Sequence, residues 1–153
     1  MSTQCTTQKM LFKGLGRRKV EGDFDGGPIT CDAGALLLDE VDSRLGLLER
    51  LAEQFTDHRD PSYVEHSVLD LLKQRIVALA LGYEDLNDHE ELRCDPLLAA
   101  TVGKIDPTGG SRRRERDKKH ALAGKSTLNR LEQARRSSNG TTRYHKLILD
   151  DDL

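Results

Sequence analysis

The stretch DPSYVEHSVLDLLKQRIVALALG, residues 60–82, constrains the fold more than any other part of the chain. Asp60 followed by Pro61 is an N-cap with proline in the first helical position. Val64, Val68, Leu72, Ile76 and Leu79 then recur at helical spacing, and Gly82 is placed to end the run as a C-terminal cap. The late part, IVALALG, is apolar on every side. The spacing therefore predicts a helix over 61–81 that is central and the most buried of the chain. Such a helix needs other helices around it, and the composition supplies them. Leu occurs 24 times against 10 for Ile and Val together, a balance that favours leucine-packed helices over a β-sandwich or barrel. The expected class is mostly α.

The flanking segments carry weaker signals. KVEGDFDGGPIT, residues 19–30, joins β-favouring residues to the turn signal Asp25-Gly26-Gly27 and predicts a short hairpin. Asp32 is the expected N-cap of a helical pattern in which Leu37, Val41, Leu45, Leu48 and Ala52 share a face. Gly46 is placed to break it in two. YEDLNDHEELRCDP, residues 83–96, reads as a short acidic helix, and Asp95-Pro96 repeats the cap-and-proline device before LLAATVG. Asp85 and His89 fall on one helix face at i, i+4. Carboxylates near a helix start are ordinary dipole partners, however, and a single His defines no metal site. Solvated caps and surface are the expectation there. The closing YHKLILDDDL reads as a strand entering a run of carboxylates, with no partner strand after it.

Several classes are disfavoured. No apolar run approaches the ~20 residues that a membrane span requires, and MSTQCTTQKMLFKG has neither the apolar core nor the cleavage site of a signal peptide. A cytoplasmic protein with no membrane partner is expected. Cys5, Cys31 and Cys94 are odd in number and form no CxxC pair, so three reduced thiols, some of them buried, are expected instead of a disulfide framework or zinc ribbon.

The net charge of −2 conceals a division. Residues 104–146 hold 13 Lys or Arg against 4 Asp or Glu, whereas residues 1–103 hold 11 against 19. A basic segment joined to an acidic one points to a polyanionic partner for the basic part, the alternative being a solvated basic linker. Within it, GKST (124–127) matches the end of a nucleotide-binding phosphate loop, but the Gly needed five residues before Gly124 is Lys119, and no strand leads into the loop. TGGSRRRERDKK reads as a loop or linker. Ser126 or Thr127 is the expected cap of a helix running through Leu128, Leu131 and Ala134.

Taken together, FDGGPITCDAGALLLDEVDSRLGL (24–47), DHRDP (57–61), VLDLLKQRIVALALGYEDLNDHEELRCDPLLA (68–99), LAGKSTLNRLE (122–132) and LILDDD (147–152) resemble the N-terminal region of DDE-type insertion-sequence transposases, the group numbered thirteen-eighty. The words cover most of the chain in order. The resemblance implies a helical region preceding a ribonuclease-H-like catalytic domain, in which three carboxylates hold two Mg²⁺ ions that act on a DNA phosphodiester. It implies that LILD is the first catalytic strand and that Asp152 corresponds to the first metal-binding carboxylate. Leu153 departs from the family's Ala-Thr at that place.

On this reading the chain divides into a helical domain over 1–103, a basic linker and helix over 104–143, and a catalytic strand over 144–153, cut short and so without catalysis or a metal of its own. The expected function is DNA binding at the terminal inverted repeats of an insertion element. GKST then lies at a helix N-terminus whose N–H groups, with Lys125, Ser126 and Thr127, suit a DNA phosphate. Arg112, Arg113 and Arg114 are expected on the backbone, and Asn129 and Arg130 are residue types that read base edges. A helical dimerisation module acting as a transposase inhibitor, or an inert remnant, are the alternatives.

Overall fold

The computed structural model describes residues 10–15, 18–22, 30–136 and 146–149. They form strands β1 (Met10–Leu15) and β2 (Arg18–Gly22), helices α1 (Ala35–Leu45) and α2 (Leu47–Glu53), strand β3 (Phe55–Asp57), helices α3 (Val68–Ala80), α4 (His89–Leu92), α5 (Pro96–Thr101) and α6 (Lys125–Glu132), and strands β4 (Arg135–Arg136) and β5 (Leu147–Leu149). Single 3-10 turns occur at Pro61–Tyr63, Leu86–Asp88 and Glu115–Asp117. The protein is mostly α, with two small sheets among the described residues.

Helix α3 is central but begins later than its spacing predicts. Asp60 does cap and Pro61 does lead, but only a 3-10 turn. The α-helix is started by Ser67, whose hydroxyl accepts from the Asp70 N–H at 3.1 Å while Asp70 Oδ2 accepts from the Ser67 N–H at 3.0 Å. This reciprocal box satisfies two donors of the first turn at once. At the other end Gly82 takes φ +100°, so that its N–H reaches Leu79 O and the Tyr83 N–H reaches Ala78 O. Leu81 is the C-cap and the left-handed glycine follows it.

Two cores meet along α3. Val68, Leu71 and Leu72 pack with Ala123, Leu128, Leu131 and Leu147, while Val77 and Ala78 pack with Ala35, Leu92, Leu98, Ala99, Val102, Ala121 and Leu122. Residues on both sides of position 103 thus share each core. Burial does not extend all round the helix: Leu79 and Ala80 are exposed, and Ile76 is half-buried against the first cluster.

The apolar face expected on α1 and α2 is largely on the surface. Leu37 is 73% exposed, Val41 and Leu45 are also exposed, and only Ala35 and Leu48 are buried on these two helices. Leucines at 36, 37 and 38 cover so much of the helix circumference that periodicity cannot choose between faces. Packing chooses Ala35 and Leu38, which lie against α3 and α5 residues. Gly46, at φ +60°, separates the two helices as its position predicts. Asp32 is not the cap of α1. Gly34 holds that place, and the Asp32 carboxylate accepts the Tyr83 hydroxyl at 3.0 Å instead.

The hairpin lies earlier than expected. β1 and β2 pair antiparallel with Met10 opposite Gly22 and Phe12 opposite Val20, so residues 19–22 belong to its second strand. The β preference around Val20 is real, but its partner MLFKGL precedes it. Asp25-Gly26-Gly27 lies outside the described residues. Strand β5, expected as a strand with no partner after it, finds its partners before it in the sequence. It pairs antiparallel with β3, Phe55 opposite Leu149, and parallel with β4, Arg135 opposite Ile148. Cys31 and Cys94 are free but exposed, and Cys5 lies outside the described residues.

Leu71 and Leu37 test this packing directly. Leu71→Ala removes a fully buried side chain and is expected to cost about 2–5 kcal/mol, whereas Leu37→Ala should stay within about 0.5 kcal/mol. Urea unfolding followed by circular dichroism measures both, and a larger loss at Leu37 would place the core on the wrong side of α1.

Candidate nucleic-acid interface

The basic segment is held to the helical body by a buried amide. Gln74 Oε1 accepts from the Ala123 N–H at 2.9 Å, and Gln74 Nε2 donates to Ala123 O at 2.8 Å. Those two bonds fix which end of the amide is which, so Nε2, 3.1 Å from His89 Nδ1, donates to it. The His89 proton therefore sits on Nε2. Arg75 Nη1 lies 3.4 Å from that nitrogen and donates to Tyr83 O at 3.1 Å. Burial, and then the Arg75 charge, push His89 down to about 4. His89 is thus a neutral core residue, fully buried, and not the solvated surface residue its sequence context implies. Beside it, Arg75 Nε pairs with Glu132 at 2.5 Å, tying α3 to α6.

The segment between α5 and Ala121 is laid against the body by a turn. Lys104 pairs with Asp70 at 2.6 Å. Asp106 accepts from the Thr108 hydroxyl at 2.7 Å and from the Ser111 N–H at 2.6 Å, bonds that hold its carboxyl well below the usual range. Gly109, at φ +70°, closes the turn so tightly on residues 120–121 that a Cβ would stand 2.7 Å from the Ala121 nitrogen. Glycine is required there on both counts. The run Arg112-Arg113-Arg114 leaves from this turn.

Between that run and the start of α6 lies a cleft of about 460 Å³. Six arginines line it (Arg59, Arg93, Arg112, Arg114, Arg116 and Arg130) against Glu65, Glu90 and Asp117. Four of the six are paired: Arg59 with Asp57 at 2.6 Å, Arg93 with Glu90 and Arg112 with Glu65 at 2.8 Å, and Arg116 loosely with Asp117 at 3.8 Å. Arg114 and Arg130 are exposed and have no ion-pair partner among the described residues. The uncompensated positive charge of the cleft is therefore concentrated on these two.

Of the residues singled out in the sequence, the cleft gathers Arg112, Arg114, Ser126, Thr127 and Arg130. Arg113 turns away, donating to Ser62 O at 2.8 Å with its guanidinium 5.8 Å above the Tyr63 ring. Lys125 donates to Asn87 Oδ1 at 3.0 Å, and Asn129 Oδ1 accepts from Gln133 at 3.2 Å, both outside the cleft lining. Neither Ser126 nor Thr127 caps α6. The cap is Gly124, and no side chain of the helix bonds its free N–H groups. Glu90 does so from α4, accepting from the Lys125 N–H at 3.1 Å, so a protein carboxylate already stands where a phosphate at GKST would sit. Asp152 lies outside the described residues. Arg59, Arg93 and His66 line the cleft without any sequence signal, because only the tertiary fold brings their segments to the basic one, to which Arg116 and His120 belong.

The family model for transposase DDE domain group 1 matches residues 12–151. The chain belongs to the DDE transposases. No curated protein and no solved structure gives a significant match. DDE chemistry needs carboxylates gathered around metal ions, and among the described residues no group of three or more His, Cys, Asp or Glu is placed to hold one. The described part of this transposase chain therefore does not fit a Mg²⁺ site by itself. No helix among the described residues is long and apolar enough to cross a membrane.

Acid should expose the two buried histidines. His66, desolvated and facing Lys104 and Arg112, is pushed down to about 3, and His89 to about 4. An unfolded His binds its proton near 6.5, so between about pH 6.5 and pH 4 the unfolded state takes up protons that the folded state refuses. Stability is fully present above about 6.5 and should fall below it, by at most about 1.4 kcal/mol per pH unit for each His. The carboxylates whose pKa values are lowered, Asp57, Asp60, Asp85 and Asp106, release their share only below this window. Urea midpoints measured from pH 7.5 to 4.5 should decline; a flat profile would contradict the neutral, buried assignment.

Proposed function

We propose that these residues are the DNA-binding region of an insertion-sequence transposase of the thirteen-eighty group, gripping duplex DNA along the arginine-lined cleft. The observation that carries the reading is the pair Arg114 and Arg130, two unpaired guanidinium groups facing one cleft in a chain of a DNA-transposing family. Phosphate contacts of this kind give affinity and register without sequence information. The terminal inverted repeats of the element are the proposed target, and the cytoplasm the proposed place of action. Arg130, on the exposed face of α6, is the residue proposed to reach a base edge. Asn129, already bonded to Gln133, is the weaker candidate. The reading assigns the described residues no part in strand cleavage.

A second reading rests on a different surface. Leu36, Leu37, Val41, Leu45 and Leu47 are exposed on α1 and the start of α2, which favours self-association or a protein partner. Sedimentation of the wild type beside Leu37→Glu separates the two: a dimer that dissolves in the variant supports an interaction module, and a monomer in both removes that reading.

Titration of a terminal-repeat duplex and a scrambled duplex at several salt concentrations tests the cleft. Arg114→Ala should weaken binding to both and reduce the salt slope by about 1, the lost phosphate contact being worth roughly 0.9, and the double variant with Arg130→Ala should weaken the terminal repeat further. Arg130→Ala alone should cost about 1–3 kcal/mol on the terminal repeat only, if it reads a base. Arg44→Ala, on α1 and paired with Glu40, serves as the control and should change nothing. Unchanged binding in the double variant would remove the cleft from the DNA interface.

A further inference from the structure

We propose that the cleft takes an unpaired nucleotide of the DNA, its base stacked on the Tyr63 ring and its phosphates held by Arg114 and Arg130. Asp60-Pro61 starts no α-helix, yet it builds a rigid turn. The Asp60 carboxylate accepts from the Ser62 N–H at 3.0 Å, the Asp60 carbonyl accepts from the Tyr63 N–H at 2.9 Å, and Pro61 fixes φ between them. What this turn presents is Tyr63. Its ring is 68% exposed and lines the cleft. Between residues 30 and 136 the other two aromatics, Phe55 and Tyr83, are half-buried. Arg113 stands over the Tyr63 ring, 5.8 Å from its centroid, fixed there by its bond to Ser62 O at 2.8 Å. Arg113 is not part of the cleft lining, so it backs the ring from outside. The other face is left toward the cleft.

Size and charge select the ligand. A cleft of about 460 Å³ has the capacity of a pocket for one small ligand. A duplex, whose major groove alone is about 12 Å wide, can only lie across its mouth. Inside a duplex both faces of a base are covered by its neighbours, whereas an unpaired nucleotide offers a bare face to an aromatic ring. Every base has such a face, so the stack reads no sequence. Arg114 and Arg130 line the same cleft without ion-pair partners among the described residues, and they supply the positive charge that phosphates need. That the ligand is DNA rests on the function proposed above. That it is unpaired rests on Tyr63 and the size of the cleft.

Two duplexes of one sequence and with the same ends, one intact and one carrying a short single-stranded gap at its centre, are titrated against the full chain at one salt concentration. The gapped duplex should bind the wild type more tightly. Tyr63→Ala should remove that preference, weakening the gapped duplex about 5- to 150-fold, the range for one stacked base, and leaving the intact one unchanged. Tyr63→Phe keeps the ring and should bind like the wild type. Tyr63→Leu keeps apolar bulk without an aromatic face and should behave like Tyr63→Ala. The side chain is exposed, so each variant should fold, as circular dichroism checks. The chain has no tryptophan, so tyrosine emission can be followed directly. The gapped duplex should quench it in the wild type and much less in Tyr63→Phe. Equal losses on both duplexes in Tyr63→Ala would make Tyr63 a contact to paired DNA, and wild-type binding by Tyr63→Leu would make it an apolar contact only. Either result overturns the stack. So does equal binding of both duplexes by the wild type, which leaves the DNA reading of the cleft standing if Arg114→Ala weakens both. If neither duplex binds, both readings fail.

Discussion

One buried side-chain amide determines where the basic segment goes. Gln74 offers a donor and an acceptor in the same sense as a peptide group, and it pairs with both polar atoms of Ala123 as a neighbouring strand would. Both partners are buried, so each of those bonds is costly to lose, of order 1–3 kcal/mol for a group left unsatisfied. Ala121, Leu122 and Ala123 are thereby drawn into the two cores along α3, and α6 must begin at Gly124. Leu122, Ala123 and Gly124 form part of the cleft wall. The position of Arg130 on one side and Arg114 on the other depends on this anchor.

The division of charge along the chain acquires a second meaning in three dimensions. Asp70, Glu65 and Glu90 come from the acidic first part, and they neutralise Lys104, the half-buried Arg112 and the N-terminus of α6 from the basic part. Two cations of the basic segment, Lys104 and Arg112, thus hold the protein together. What is left for a partner is narrower than the count of cations implies. It is also better defined, because the paired arginines fix the cleft walls on which the unpaired ones stand. Surface ion pairs contribute little stability individually, but those here are partly shielded and converge on one feature.

The sequence made α3 legible because a run that is apolar on all sides has few alternatives, and Gly82 marked its end by a conformation that glycine favours. It misplaced the start, since the Asp60-Pro61 cap leads only a 3-10 turn and the α-helix begins after Ser67, seven positions later. The core face of α1 was not legible, as three consecutive leucines satisfy more than one stripe. Of the cleft, the arginine run and α6 were visible in the charge pattern. Arg59, Arg93 and His66 were not, because they come from elements that only the fold of α3 and α4 brings together. His89 sits among acidic residues in the sequence, yet the Gln74 contact that buries it spans 15 positions.

The central claim is that the DNA-facing surface of this chain is the cleft built by residues 112–130, held in place from α3. Hydrogen–deuterium exchange of the full chain with and without a terminal-repeat duplex tests it most directly. The account predicts added protection in peptides covering 112–120 and 124–130, with α1 unchanged. Protection confined to the exposed face of α1, with residues 112–130 exchanging as in the free protein, would contradict it.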